Sequence, residues 1–188
     1  MRSRPLAMFD RLDTLEWQLC HRIALLSHRR LVHGVFRFCS RVGDWPAWVA
    51  LALLQPLVHG QAGWRLTLIW GLCAATGATV YRLLKTRLCR ERPYITFSSI
   101  PCTMPPLDRY SFPSGHTLHA VMFCTLTAAS SPWLLVVVLP LSGLIAASRV
   151  ILGLHYVSDV AAGAVLGFAI AQAGLWIAMR GQWLPLAA

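Results

Sequence analysis

Apolar runs separated by short polar breaks predict a string of helices along this chain. Residues 1–44 hold no uninterrupted apolar run. From Leu12 to Phe38, however, apolar side chains recur at roughly helical spacing: Leu12, Leu15, Leu19, Ile23, Leu26, Leu31, Val35 and Phe38. Arg11, Arg22, Arg29, Arg30 and Arg37 occupy the other face. This predicts one or two amphipathic helices lying at a membrane surface. A weakly apolar span shielded by its neighbours fits the same pattern. Five apolar runs follow: Trp45–His59, Trp64–Leu84, His116–Ser131, Trp133–Leu152 and Val157–Met179. The first and third fall short of the ~20 residues that a membrane span usually needs.

The boundaries of these runs are marked by residue type. Gly43-Asp44 and Gly60-Gln61 delimit the first run, with Trp45 and Trp48 as interfacial anchors. Arg180 and Trp183 close the last. Gly153 separates the final two helices. Gly71, Ala75 and Gly77, and later Gly163 and Gly167, are small residues that permit close helix packing. Pro93 ends a helix, and residues 94–112 form a polar loop with Pro101, Pro105 and Pro106.

Composition turns the helices into membrane helices. The chain has 188 residues, of which 56% are hydrophobic and 13% charged. Soluble domains average about 25% charged. The expectation is an all-α, polytopic transmembrane helix bundle of five or six spans with an amphipathic N-terminal region. It forms a single domain over 1–188, with 1–44 interfacial and 45–180 the helical core. The net charge of +10 suits anionic lipid head groups and phosphate-bearing ligands in a bilayer. No nucleic-acid recognition module is visible. No apolar core lies between Arg2 and Asp10, so no cleavable signal peptide is expected. The sequence leaves oligomeric state open.

The six cysteines show no metal-ligand spacing, nor do the histidines and carboxylates, so no metal and no cofactor are expected. Cys73 and Cys124 read as small core residues. Cys89 and Cys102 read as free thiols, or as a disulfide if their loop faces an oxidising compartment.

Ionisable residues at membrane depth are costly and mark functional sites. Lys85 precedes Arg92-Pro93 by seven residues. If the helix continued, the two cations would share a face; a cationic cap on a helix C-terminus fits as well. Pro113-Ser114-Gly115-His116 is a turn opening a helix, whose free N–H groups form an anion cradle. Ser148-Arg149 is followed by His155 and Asp159. His155 and Asp159 would share a face on a helix. The carboxylate would hold one ring nitrogen and leave the other as base or nucleophile. Taken alone, such a pair also fits a satisfied polar bridge. His119 reads as a lining residue. Asp108, Arg109 and Tyr110 read as a solvated loop, with contact to a substrate head group as the alternative, Arg87 and Arg90 as surface charges, and His21, His28, His33 and His59 as polar residues without a ligand role.

These three motifs, complete and in this order, resemble the signature of the type 2 phosphatidic acid phosphatase superfamily, which includes lipid phosphate phosphatases and vanadium haloperoxidases. The resemblance is strong over residues 85–159. It implies that Lys85, Arg92 and Arg149 clamp a phosphate, with Ser114 and the Gly115 N–H as further donors. It implies His155 as nucleophile forming a phosphohistidine, Asp159 orienting it, and His116 as acid for the leaving oxygen. The implied protein is a metal-independent lipid phosphate phosphatase of the bacterial inner membrane. Undecaprenyl diphosphate, phosphatidylglycerophosphate and phosphatidic acid are its candidate substrates. A phosphotransferase would use the same residues with another acceptor. A non-catalytic anion-binding membrane protein would need the clamp but not the histidines. Five spans would put the arginine-rich N-terminus and the active-site loop on one side, the cytoplasm by the positive-inside rule. The resemblance implies a periplasm-facing site, which a sixth, N-terminal span would reconcile.

Overall fold

A computed structural model describes residues 7–106 and 108–181. Arg2, Arg4 and Trp183 lie outside the described residues. Regular structure among the described residues is helical. The α-helices are α1 (Ala7–Ala24), α2 (Arg30–Val42), α3 (Trp45–His59), α4 (Gln61–Leu88), the single turn α5 (Pro93–Thr96), α6 (Gly115–Ser130), α7 (Leu135–Ile151) and α8 (Val157–Arg180). Short 3₁₀ turns precede α2 and α7.

Three of these elements are long and apolar enough to cross a membrane: Gln61–Leu88, Pro132–Ile151 and Val157–Arg180. The other two expected runs became α3 and α6, of 15 and 16 residues. The protein is an integral membrane protein. The N-terminal region forms two helices, and its apolar residues Leu15, Leu19, Leu31, Val35 and Phe38 face outward. In water that would be unfavourable, whereas against lipid it is the expected side. The inner face of α1 carries Phe9, Asp13 and Cys20 instead.

Helix α6 is central and packs on α4, α7 and α8. Its contact with α8 is closest, because Gly163 and Gly167 let the helix backbones meet. A Cβ at Gly167 would overlap the Leu118 carbonyl, and one at Gly163 the Ser114 carbonyl. The small residues of α4 divide their work. Gly77 packs against Leu118, but Gly71 has nothing within 4 Å and lines a cavity with Ala75. Close packing was expected at all three. Beside this seam the Phe123 ring stacks on Trp48 at 5.0 Å and meets Trp70 edge-on. Cys73 is buried and Cys124 half-buried; Cys89 and Cys102 are free thiols.

Two helix ends depart from the sequence reading. Helix α4 stops at Leu88, where Cys89 takes a left-handed conformation (φ 51°). Pro93 therefore does not end α4. It starts α5, where a proline's missing N–H costs nothing. The second departure is at His155, which precedes α8 rather than lying on it. Gly153 breaks α7 from α8 as expected; its φ of +74° and the adjoining Pro101 carbonyl leave no room for a side chain.

Candidate active site

The three motifs lie on different elements and are joined by backbone hydrogen bonds. Ser111 N–H donates to the Arg90 carbonyl at 2.8 Å, tying the first motif to the approach of the second. Ser114 N–H donates to the Asp159 carbonyl at 3.0 Å, tying the second to the third. Within the third, the N–H groups of Leu154 and His155 both donate back to the Arg149 carbonyl. This hook holds the arginine and the histidine side by side although a helix end separates them.

A cavity of about 500 Å³ opens at this junction. Lys85, Arg92, Gly115, His116, Arg149 and His155 line its polar end. The apolar wall comes from Trp45, Trp48, Val49 and Ala52 of α3 and from Gly71 and Ala75 of α4. His119 lines the cavity as expected, its Nδ1 2.8 Å from the Gly115 carbonyl.

The cations are not arranged as one helix face, since Arg92 lies beyond the end of α4. They converge on Asp108. Lys85 Nζ donates to both Asp108 oxygens at 2.9 and 2.7 Å, and Arg92 Nη2 donates to Oδ1 at 2.7 Å. Asp108 is thus a counter-ion of these two cations from the loop, and its side chain is still 41% exposed. Burial raises its carboxyl, but hydrogen bonding and charge from Lys85 and Arg92 outweigh burial and hold it below the ordinary value. Arg92 also donates to the Leu154 carbonyl at 2.8 Å, and its Nη1 lies 3.3 Å from His155 Nε2. Arg149 is buried and donates to the Ser40 hydroxyl of α2.

Asp159 is completely buried behind His155. Its Oδ2 accepts the Tyr156 N–H at 2.9 Å and lies 3.5 Å from His155 Nδ1. That separation exceeds a normal hydrogen bond. The pair meets because Asp159 caps α8 from its first turn, not because both residues share a helix face. His116 Nε2 lies 2.9 Å from Asp44 Oδ1 in the turn before α3. That hydrogen bond keeps the Asp44 carboxyl below its ordinary value. Ser114 does not line the cavity. It caps α6, its hydroxyl 3.0 Å from that of Thr117.

Four contributors were not legible as such in the chain: Asp44, Asp108, Arg90 and Ser40. Arg90 was expected at the surface, yet it is fully buried and donates from Nη1 to Asp159 Oδ1 at 2.7 Å. The available signal was weak: Asp13 and Glu16, two acids on an otherwise arginine-rich amphipathic segment, need a cation.

Fold and motif geometry together define a membrane phosphatase-type scaffold. Residues 66–183 match the family model of the PAP2 superfamily, and the chain belongs to that superfamily. It is 33% identical over 122 residues to the decaprenylphosphoryl-5-phosphoribose phosphatase of Mycobacterium tuberculosis, a match spanning 64% of this chain and 65% of that protein's length. The protein of the same name from Mycolicibacterium smegmatis is 34% identical over 132 residues, 68% of each chain. Among solved structures, the transmembrane PAP2 type phosphatidylglycerolphosphate phosphatase from Bacillus subtilis is similar, with a TM-score of 0.73 and 20% identity over 90% of this chain and 87% of that one. LpxE from Aquifex aeolicus is also similar, with a TM-score of 0.73 and 22% identity over 86% and 95%. At such identities these two structures share the fold.

Proposed function

We propose that this protein is a lipid phosphate phosphatase that works through a phosphohistidine on His155. One observation carries the reading: a single cavity joins a cationic, histidine-bearing end to an apolar wall from α3 and α4. A phosphate suits the first part and a hydrocarbon chain the second.

Substrate phosphate displaces the Asp108 carboxylate from Lys85 and Arg92, and Arg149 completes the clamp. Guanidinium and ammonium donors neutralise the oxygens on which charge accumulates. His155 Nε2 attacks phosphorus, forming a P–N bond as the ester P–O bond breaks. Asp159 steadies the imidazole through the Nδ1 side. His116, oriented by Asp44, gives its proton to the leaving alkoxide. It then takes a proton from the water that cleaves the P–N bond, and inorganic phosphate leaves. The α6 N-terminus adds the Gly115 N–H. Ser114 adds its hydroxyl once that group turns from Thr117.

The relatives' names point to prenyl-linked phosphoribose and glycerol-linked phosphate as substrates to test first, beside undecaprenyl diphosphate and phosphatidic acid. The reading places the protein in a bacterial inner membrane with its site toward the periplasm. A panel of these lipids, with phosphate release measured on purified protein and His155→Ala as control, tests the proposal. Release from at least one lipid, abolished in the variant, is the expected result. Release from none, or equal release by the variant, overturns it.

A further inference from the structure

Arg90 is a charged side chain at the catalytic motif that the mechanism above does not use. It is 0% exposed. Its guanidinium lies 4.0 Å from the Tyr156 ring centroid and 5.0 Å from that of Phe9. Its donors run in two directions. Toward α8, Nη1 donates to Asp159 Oδ1 at 2.7 Å and to the Ser158 hydroxyl at 2.6 Å. Toward α1, Nε and Nη2 donate to Asp13 Oδ1 at 2.9 and 2.7 Å, and Nη2 reaches Glu16 Oε1 at 3.4 Å. Glu16 closes the circuit, its other oxygen accepting the Ser158 N–H at 2.8 Å.

This geometry governs Asp159. A carboxylate bound through one oxygen can still swing about its own axis. Here Oδ1 is fixed by Arg90, so Oδ2 is held at the Tyr156 N–H and toward His155 Nδ1. A forked guanidinium can hold Asp13 and Asp159 at once; an ammonium cannot match that planar fork. It also compensates the charge of a carboxylate with no access to water, which unpaired would be strongly unfavourable. Helix α1 lies outside residues 66–183, the segment that matches the family model.

We infer that Arg90, anchored by Asp13 and Glu16 of α1, is a positioning residue that orients Asp159 and through it His155. Helix α1 is then a part of the active site as well as an amphipathic membrane element. The inference rests on the reading of His155 as nucleophile, with Asp159 as its partner.

The test is a double-mutant cycle on the full chain in detergent, measuring kcat and KM for the best lipid phosphate and single-turnover nitrophenolate release from nitrophenyl phosphate. Arg90→Gln should lower kcat on the order of 10- to 100-fold, the scale of a misplaced reacting group, with KM little changed. Arg90→Lys should restore only part of the loss. In an Asp159→Asn background Arg90→Gln should add nothing, because its effect has no other route. Losses that multiply, or a KM change with kcat intact, overturn the inference. If Arg90→Gln fails to fold, Asp13→Asn with Glu16→Gln runs the same cycle from the α1 side with the same criteria. The two readings fail separately. Full activity in Asp159→Asn alone overturns the catalytic assignment, whereas a normal Arg90→Gln beside a crippled Asp159→Asn overturns only the role of Arg90.

Discussion

Asp108 sets an opposition between stability and binding. Its carboxylate neutralises Lys85 and Arg92, and under the proposed mechanism an incoming phosphate displaces it. Asp108→Asn should therefore tighten inhibition by vanadate and by inorganic phosphate by a common factor, since both anions face one internal competitor. Unequal factors would mean that Asp108 touches the ligand instead. The same substitution should lower stability, because it leaves clustered cations unpaired. A carboxyl held below its unfolded value contributes stability that is complete above that value and is lost as pH falls through the folded one. The melting gap between wild type and Asp108→Asn should thus hold from neutral pH down to about 3.8 and close below it. A gap that closes near neutrality would assign it to another group. The histidines separate by leaving group. His155→Ala should abolish turnover of every phosphate ester. His116→Ala should lose about 10²–10⁴-fold on a lipid alkoxide leaving group and much less in single-turnover nitrophenolate release. Equal losses on both would leave His116 as a phosphate ligand only.

At the scale of elements, the seam between α6 and α8 sets the position of the site. Gly163 and Gly167 bring α8 onto the backbone of α6, and the Ser114 N–H can then reach the Asp159 carbonyl. Gly167→Val would push Leu118 and with it the helix that carries His116. Overpacking of this kind costs about 1–3 kcal/mol. A lowered melting temperature in detergent with a parallel fall in kcat is the expected outcome, and unchanged values in both would show that the seam is slack. The apolar runs matched their helices closely, since a run surrounded by lipid must be helical to satisfy its backbone. The end of α4 did not follow from its sequence. Residues 85–92 are compatible with helix, and tertiary hydrogen bonds from Ser111 to the Arg90 and Glu91 carbonyls draw that segment into an extended turn.

For the whole molecule, two expectations concern surroundings rather than contacts. In the proposed mechanism the clamp supplies the positive charge that a metal would otherwise bring, and among the described residues no group of three or more His, Cys, Asp or Glu is placed to hold one. Activity should persist in excess chelator; loss that magnesium or zinc restores would overturn the metal-free mechanism. If the site faces the periplasm, Arg109→Cys, in a background lacking the native cysteines, should react with a membrane-impermeant thiol reagent in intact spheroplasts. Labelling only after lysis would place the site in the cytoplasm.

Helical class, membrane residence, the positions of the apolar runs and the residues of the three motifs are all determined by local sequence. Each depends on side-chain polarity over a few turns or on a short fixed spacing. The partners of those residues are not. Asp44 reaches His116 across 72 positions, Asp108 meets Lys85 across 23, and Asp13 and Arg90 meet across 77. None of these pairs shares a helix face or a local spacing. The packing of the turn before α3 against α6, of the loop carrying Asp108 over the cationic cluster, and of α1 against the segment after α4 brings them together. A buried charge needs a counter-charge, but the sequence does not say which acid will supply it. That choice is made by the tertiary fold.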